Sequence, residues 1–357
     1  MSREYRFKIE IQLNSPIKKK KILDCNVSYP YSQRYQDHFQ ITSDLIRIEA
    51  YRSQKLSLES IFFNYNSAIN KQITKALTYY YCALGSPCKI KKITVIRLLN
   101  DTYQDQLIIE GKNIVQIIEK NSQLSELTKL DQIELSAILG EDDKSHSILI
   151  AATHLVKACS LSSPFEKFDR LWKSFNALYK QLTNTTTDRD CLIKLRQHMD
   201  TNPHLYPISL MALSTITADE IRKKIRWVAM LHNDFPTENK TVAFKEFVLR
   251  VEDERFISIL KNSLTIREAF LKNKGFYNEV VAHINNKTLV PVKKDVDVLA
   301  ILSLKYMYFV RNKTFHAEKL DSSFNIVPNG KEEQELDWLA KVLKRLIIDM
   351  INFNSKF

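Results

Sequence analysis

The chain has 357 residues, 44% hydrophobic and 26% charged, values that exclude a disordered tail and a low-complexity protein. Its length exceeds what one small core organises, so two domains, or one with a large insertion, are expected. Lysine and arginine outnumber aspartate and glutamate by 53 to 41, a net charge of +12 that suits a polyanionic partner such as nucleic acid. Residues 1–150 carry 21 basic against 17 acidic groups and residues 151–357 carry 32 against 24, so the second part of the sequence is the more cationic. Only five glycines occur, with no G-x-x-x-x-G-K or G-x-G-x-x-G, which argues against a glycine-rich phosphate loop. Five widely spaced cysteines without C-x-x-C support neither a disulfide framework nor a zinc knuckle and indicate a reducing compartment. Charges at Arg3, Glu4, Arg6 and Lys8 stand where a signal peptide needs an apolar core, and no uncharged apolar run reaches the roughly 18 residues of a membrane span. The expectation is a cytoplasmic protein with no membrane partner.

Tyr5, Phe7, Ile9, Ile11 and Leu13 alternate with polar residues, the period of a strand with one buried face. Strand-like runs follow at Lys21 to Tyr29, Phe39 to Ala50, Ile90 to Leu98 and Gln106 to Glu110, with a helix from Ser67 to Leu84 ended by Gly85-Ser86-Pro87. The lysines from Lys18 to Lys21 read as a solvated hairpin loop between the first two strands. Residues 1–140 are therefore expected to form a mixed α/β domain, closed by the polar stretch Gly140 to Ser145. Beyond it nearly every long segment has a helical period, so the fold class is α+β, with a helical domain over 145–357.

A helix starts near Ser147, and the next opens with Ser163 as N-cap and Pro164 at its first position. Phe168, Leu171, Trp172, Phe175, Leu178 and Tyr179 form one stripe on that second helix, expected in a core. Residues 188–286 read as several shorter helices, broken at Pro203, Pro207, Pro236 and Gly275, that form an insertion or extra layers packed around a bundle. An apolar helix then runs from about Asp295 to Val310. A last one presents Leu336, Leu339, Leu343, Leu346, Ile347 and Met350 on one face. Four helices with wide apolar stripes are expected to form a bundle.

No H-E-x-x-H, G-x-S-x-G or metal-ligand spacing occurs, so neither a metal nor another cofactor is expected. Chemistry concentrates instead at Val310-Arg311-Asn312-Lys313-Thr314-Phe315-His316-Ala317-Glu318-Lys319, where the apolar helix runs out into charge. A histidine near its reference pKa of ~6.5 can exchange protons with a ribose hydroxyl or a leaving oxygen. An always-charged guanidinium can offer its fork to the phosphate, so RNA is the expected partner. On an ideal helix Arg311 and His316 are rotated by ~140°, so they meet only if the helix ends between them or a second subunit completes the site, which makes a homodimer the expectation. A similar pair, Arg226 and His232, is read as incidental, because His232 falls on one helical face with Ile221, Ile225 and Val228 and is expected in the core.

Arg311-Asn312 followed by Phe315-His316 resembles the R-x4-6-H signature of the HEPN superfamily of helical-bundle proteins, with its frequent polar residue straight after the arginine. Leu171-Trp172 and Phe175-Asn176-Ala177-Leu178-Tyr179 resemble the second helix of that family, and the final amphipathic helix stands where the family's last helix stands. The resemblance covers about residues 145–182 and 295–353; the segment 188–290 exceeds a minimal HEPN-like bundle, and residues 1–140 match no pattern of that family. It implies a metal-independent endoribonuclease of toxin or antiphage-defence type, acting as a dimer and controlled by an antitoxin or a phage-derived trigger. It also implies roles: His316 as acid or base, Arg311 as phosphate clamp and Asn312 as their orienting helper. Lys313 and Lys319 are expected phosphate contacts, and Asn176 a further polar group for the cleft. The alternative is a bundle that binds nucleotide or RNA, or serves assembly, without cleaving.

Overall fold

The computed structural model describes residues 4–29, 32–119, 122–315, 327 and 329–357. The fold is α+β and its contacts divide the chain into two compact units, residues 1–182 with 351–357, and residues 183–350.

The first unit is built on a six-stranded antiparallel sheet of order β2-β3-β4-β1-β5-β6, from β1 (Tyr5–Leu13), β2 (Lys21–Tyr29), β3 (Ser32–Thr42), β4 (Leu45–Arg52), β5 (Ile90–Leu99) and β6 (Thr102–Glu110). The alternation read in β1 is real, since Phe7, Ile9, Ile11 and Leu13 are buried on one face. The run expected as one strand from Phe39 to Ala50 is instead the end of β3 and most of β4, separated by a tight turn at Ser43-Asp44. Phe39, Ile41, Ile46 and Ile48 are all buried, so the apolar period carries across the turn and hides it.

Because β1 pairs with β4 and β5, the lysine-bearing segment 14–20 is solvated but is no hairpin. It crosses the ends of β4 and β3 to the far edge, three strand spacings or about 14 Å, within the reach of a short extended segment. The Ser43-Asp44 turn holds it: Lys19 N donates to Asp44 Oδ1 at 3.0 Å, Lys20 N to Ser43 Oγ at 3.1 Å, and Ser43 Oγ to Ile17 O at 2.8 Å.

Helix α1 (Ala68–Leu84) packs on the buried face of the sheet, capped by Ser67, whose side chain accepts from Asn70 N. Gly85 ends it in the left-handed region at φ 62°, and a Cβ there would meet Thr128 at 2.4 Å, so only glycine fits. Two helices follow in the same unit, α2 (Asp143–Ser160) and α3 (Pro164–Thr183). They form an antiparallel hairpin joined by Ser174 Oγ to Ala151 O at 2.8 Å and Ser147 Oγ to Gln181 Oε1 at 3.2 Å. The stripe on α3 is core, as expected: Phe168, Trp172, Phe175 and Tyr179 are buried, in a ladder of ring contacts 5.0 to 6.4 Å apart.

The unit thus continues past the polar stretch 140–145 at which the sequence suggested a boundary. That stretch is no linker, because it supplies the acceptors for a buried lysine of α1. Lys75 Nζ donates to Leu139 O at 3.0 Å, Gly140 O at 2.7 Å and Glu141 Oε1 at 2.6 Å. Asp142 then caps α2 by accepting from Ser145 N at 2.6 Å. The chain end returns to this unit, where Asn354 Nδ2 donates to Glu134 O at 2.8 Å.

The second unit is helical, with α4 (Asp188–Thr201), α5 (Pro207–Leu213), α6 (Ala218–Lys224), α7 (Trp227–Asp234), α8 (Thr241–Leu249), α9 (Glu254–Ser263), α10 (Glu268–Asn273) and α11 (Tyr277–Leu289). Helix α12 runs through Asp295–Ala300, a π-helical segment Ile301–Tyr306 and Met307–Phe315, and α13 is Lys331–Asn352. The residues read as an insertion or as extra layers pack on α12, which meets α4 and α5 with its first turns and α7 with its last. The four helices expected in one bundle are divided: α2 and α3 belong to the first unit, α12 and nearly all of α13 to the second.

Candidate functional site

Helix α12 is anchored at its start by Asp297, which is fully buried. Its carboxylate accepts from Glu252 N at 2.8 Å and Asp253 N at 3.1 Å, and pairs with Arg196 of α4. A buried charge persists only when so satisfied. Further along, Tyr306 at the end of the π segment donates its hydroxyl to the buried carboxylate of Glu335 on α13 and accepts from Arg226 N at 2.6 Å. Arg226 Nε completes the group 2.7 Å from Glu335. Burial holds the Tyr306 hydroxyl strongly protonated, and the Glu335 charge adds to that.

Beyond Val310 burial gives way, and Arg311, Asn312, Lys313 and Thr314 are all half-buried on the last described turns. Arg311 Nη1 donates to Asn312 Oδ1 at 3.0 Å. Thr314 Oγ1 is buried with no hydrogen-bond partner among the described residues. His316 and Lys319 lie outside the described residues. Asn176 sits on α3 in the first unit, half-buried, its Oδ1 likewise buried without a partner among the described residues. The geometry therefore joins Arg311 with Asn312, sets Lys313 on the same turn, and assigns Asn176 to a different unit. Among the described residues no three His, Cys, Asp or Glu side chains converge as an ion's ligands would.

His232 is not in the core, contrary to the wheel reading. It is exposed, as is Val228 one turn before it, because α6 ends at Lys224 and α7 begins at Trp227, so Ile221, Ile225 and His232 never share one helix. Its Nδ1 lies 3.1 Å from Nη2 of Arg267, which also donates to Leu231 O at 3.0 Å.

Spacing along the chain also missed an arginine and a histidine that face one another across two helices. The two hairpin bonds set α2 and α3 in a register that places His154 opposite Arg170 and Lys173. Both His154 and Arg170 are half-buried, and among the described residues neither has a hydrogen-bond or ion-pair partner. Burial, then the charges of Arg170 and Lys173, push the His154 imidazole below its ordinary pKa, with Asp169 opposing. Only the antiparallel pairing of two helices could have revealed this group.

No family model, curated protein or solved structure matches the chain.

Proposed function

We propose that the protein is an RNA-cleaving enzyme of HEPN type that attacks the phosphodiester with the adjacent ribose 2′-hydroxyl, without a metal, from the segment Arg311 to His316. The observation that carries this reading is the Arg311–Asn312 pair on the last described turns of α12. An arginine whose fork is held by a carboxamide offers a pre-oriented, permanently charged donor to a phosphate, and the sequence places a histidine a few residues on. In this scheme Arg311 steadies the charge that grows on the phosphorus oxygens. His316 takes the proton of the 2′-hydroxyl or returns one to the leaving oxygen, and Lys313 and Lys319 add positive potential. A homodimer that brings two such segments together would double the charge in the groove, and an antitoxin or phage-derived trigger would act on that assembly.

The division of the four expected bundle helices between two units favours a second reading, an RNA-binding module that does not cleave. One experiment separates the two: incubation of the purified protein with RNA in excess chelator. Fragments ending in 2′,3′-cyclic phosphate, lost in Arg311→Ala and His316→Ala variants of unchanged helical content, are expected. Binding without fragments would leave the second reading, and activity that needs added magnesium would sink the mechanism.

A further inference from the structure

Several charges on the sheet of the first unit are neutralised where they stand. On the open face of the sheet Arg6 pairs with Glu49 and Asp101, Arg47 with Glu10, Lys92 with Glu110 and Lys21 with Asp24. Such a face offers a polyanion little net attraction.

The α2–α3 hairpin differs. His154 on α2 stands opposite Arg170 and Lys173 on α3; Asp169 pairs with Lys173 at 2.7 Å and also acts on His154, which leaves Arg170 as the cation with no acid paired to it among the described residues. Partial burial removes some of the water around His154 and Arg170 without supplying a counter-charge for Arg170 among the described residues, while Lys173 stays exposed. An oxyanion placed here gains the fork of Arg170, the ammonium of Lys173 and an imidazole that can charge to meet it. The basic run continues, since Arg170, Lys173 and Lys180 fall within about 80° on one face of α3 and span about 15 Å, longer than a single ion needs. The first unit carries 27 basic against 19 acidic residues and the second 26 against 22, so the unit holding this hairpin has the larger positive excess.

We propose that the outer face of the α2–α3 hairpin binds the phosphate backbone of an RNA strand through His154, Arg170 and Lys173. The choice of RNA rests on the function proposed above; the phosphate chemistry rests on the hairpin alone. Such contacts are independent of sequence and strengthen as salt falls.

The test is fluorescence anisotropy of the full chain with a labelled, fully 2′-O-methylated RNA oligonucleotide, which cannot be cut by 2′-hydroxyl attack. Arg170→Gln and Lys173→Gln should each weaken binding about 5- to 10-fold at low salt and lower the salt slope by about one, and His154→Gln should weaken it less. Lys341→Gln, on the distant-in-sequence helix α13, should change it less than about twofold and serves as the control. Circular dichroism melts near wild type would show that the variants fold. An Arg170→Gln/Lys173→Gln double variant that binds as tightly as Lys341→Gln overturns the proposal, as does a wild-type chain that fails to bind the oligonucleotide. Sedimentation with phosphatidylserine vesicles that is lost in the double variant, without RNA binding, also overturns it and assigns the patch to lipid headgroups. Binding that depends on the hairpin in a protein that cuts no RNA would support this surface and refute the cleavage mechanism.

Discussion

The α2–α3 hairpin and the last described turns of α12 each hold an arginine half-buried, but they treat it in opposite ways. On α12 the guanidinium of Arg311 is taken by the next side chain, Asn312, 3.0 Å away. On the hairpin Arg170 faces another group that can carry positive charge, His154, and has no partner among the described residues. The first arrangement gives the guanidinium a fixed neighbour; the second leaves Arg170 with no counter-charge among the described residues, a contrast that fits the two roles proposed above. Anchoring differs as well: α12 is pinned by a buried carboxylate, whereas the hairpin is held by aromatic packing together with side-chain hydrogen bonds from Ser147 and Ser174.

The largest expected effect tests that difference in anchoring. Asp297→Ala would leave two buried backbone N–H groups without an acceptor and Arg196 with Asp200 alone, and should cost about 2–4 kcal/mol in urea unfolding. A loss below about 1 kcal/mol would show that α12 is held by its apolar face alone. Next, Arg311→Ala should lower RNA cleavage by about 10²- to 10³-fold with little change in melting temperature. Arg170→Ala should leave the single-turnover rate at saturating RNA nearly unchanged, and equal losses for the two would erase the contrast drawn between them. On the hairpin, Ser174→Ala removes one buried hydrogen bond to Ala151 O, and a destabilisation of about 1 kcal/mol is expected from thermal melts.

The smallest effect is on pH. The folded protein holds His154 below its ordinary pKa through burial, Arg170 and Lys173, so the unfolded chain binds the proton more readily. Stability from this group is complete above the ordinary histidine range near 6.5 and is lost as pH falls from there toward the folded value. Melts between pH 8 and 5.5 should fall less steeply for His154→Gln than for wild type. Equal slopes would mean that His154 is more open to water than its place opposite α3 implies.

The features legible in the chain are those set by short-range interactions. β1, β2, α1, the α3 core stripe and the buried face of α13 all come from side-chain period and caps, which act over a few residues. The Ser43-Asp44 turn escaped because Phe39, Ile41, Ile46 and Ile48 keep an apolar pattern across it. The boundary at 140–145 misled because polar composition looks alike in a linker and in the acceptors of a buried Lys75. Arg311 and Asn312 were legible as sequence neighbours. His154 with Arg170 was not, since nothing in either helix alone says which turn of the other lies opposite.

The π-helical segment Ile301–Tyr306 bears on how α12 tolerates length change. A π turn closes hydrogen bonds one residue farther along than an α turn, so it accommodates an added residue without rotating the turns beyond it. A strictly α-helical wheel drawn through Asp295 to Phe315 therefore runs out of phase by about 100° beyond Tyr306. Removing one residue from this segment, Ser303 for instance, would let the helix wind regularly while Val310 and Arg311 kept their present faces. The same deletion placed after Tyr306 would turn Arg311 a quarter-circle or more. Length is negotiable on one side of Tyr306 and fixed on the other.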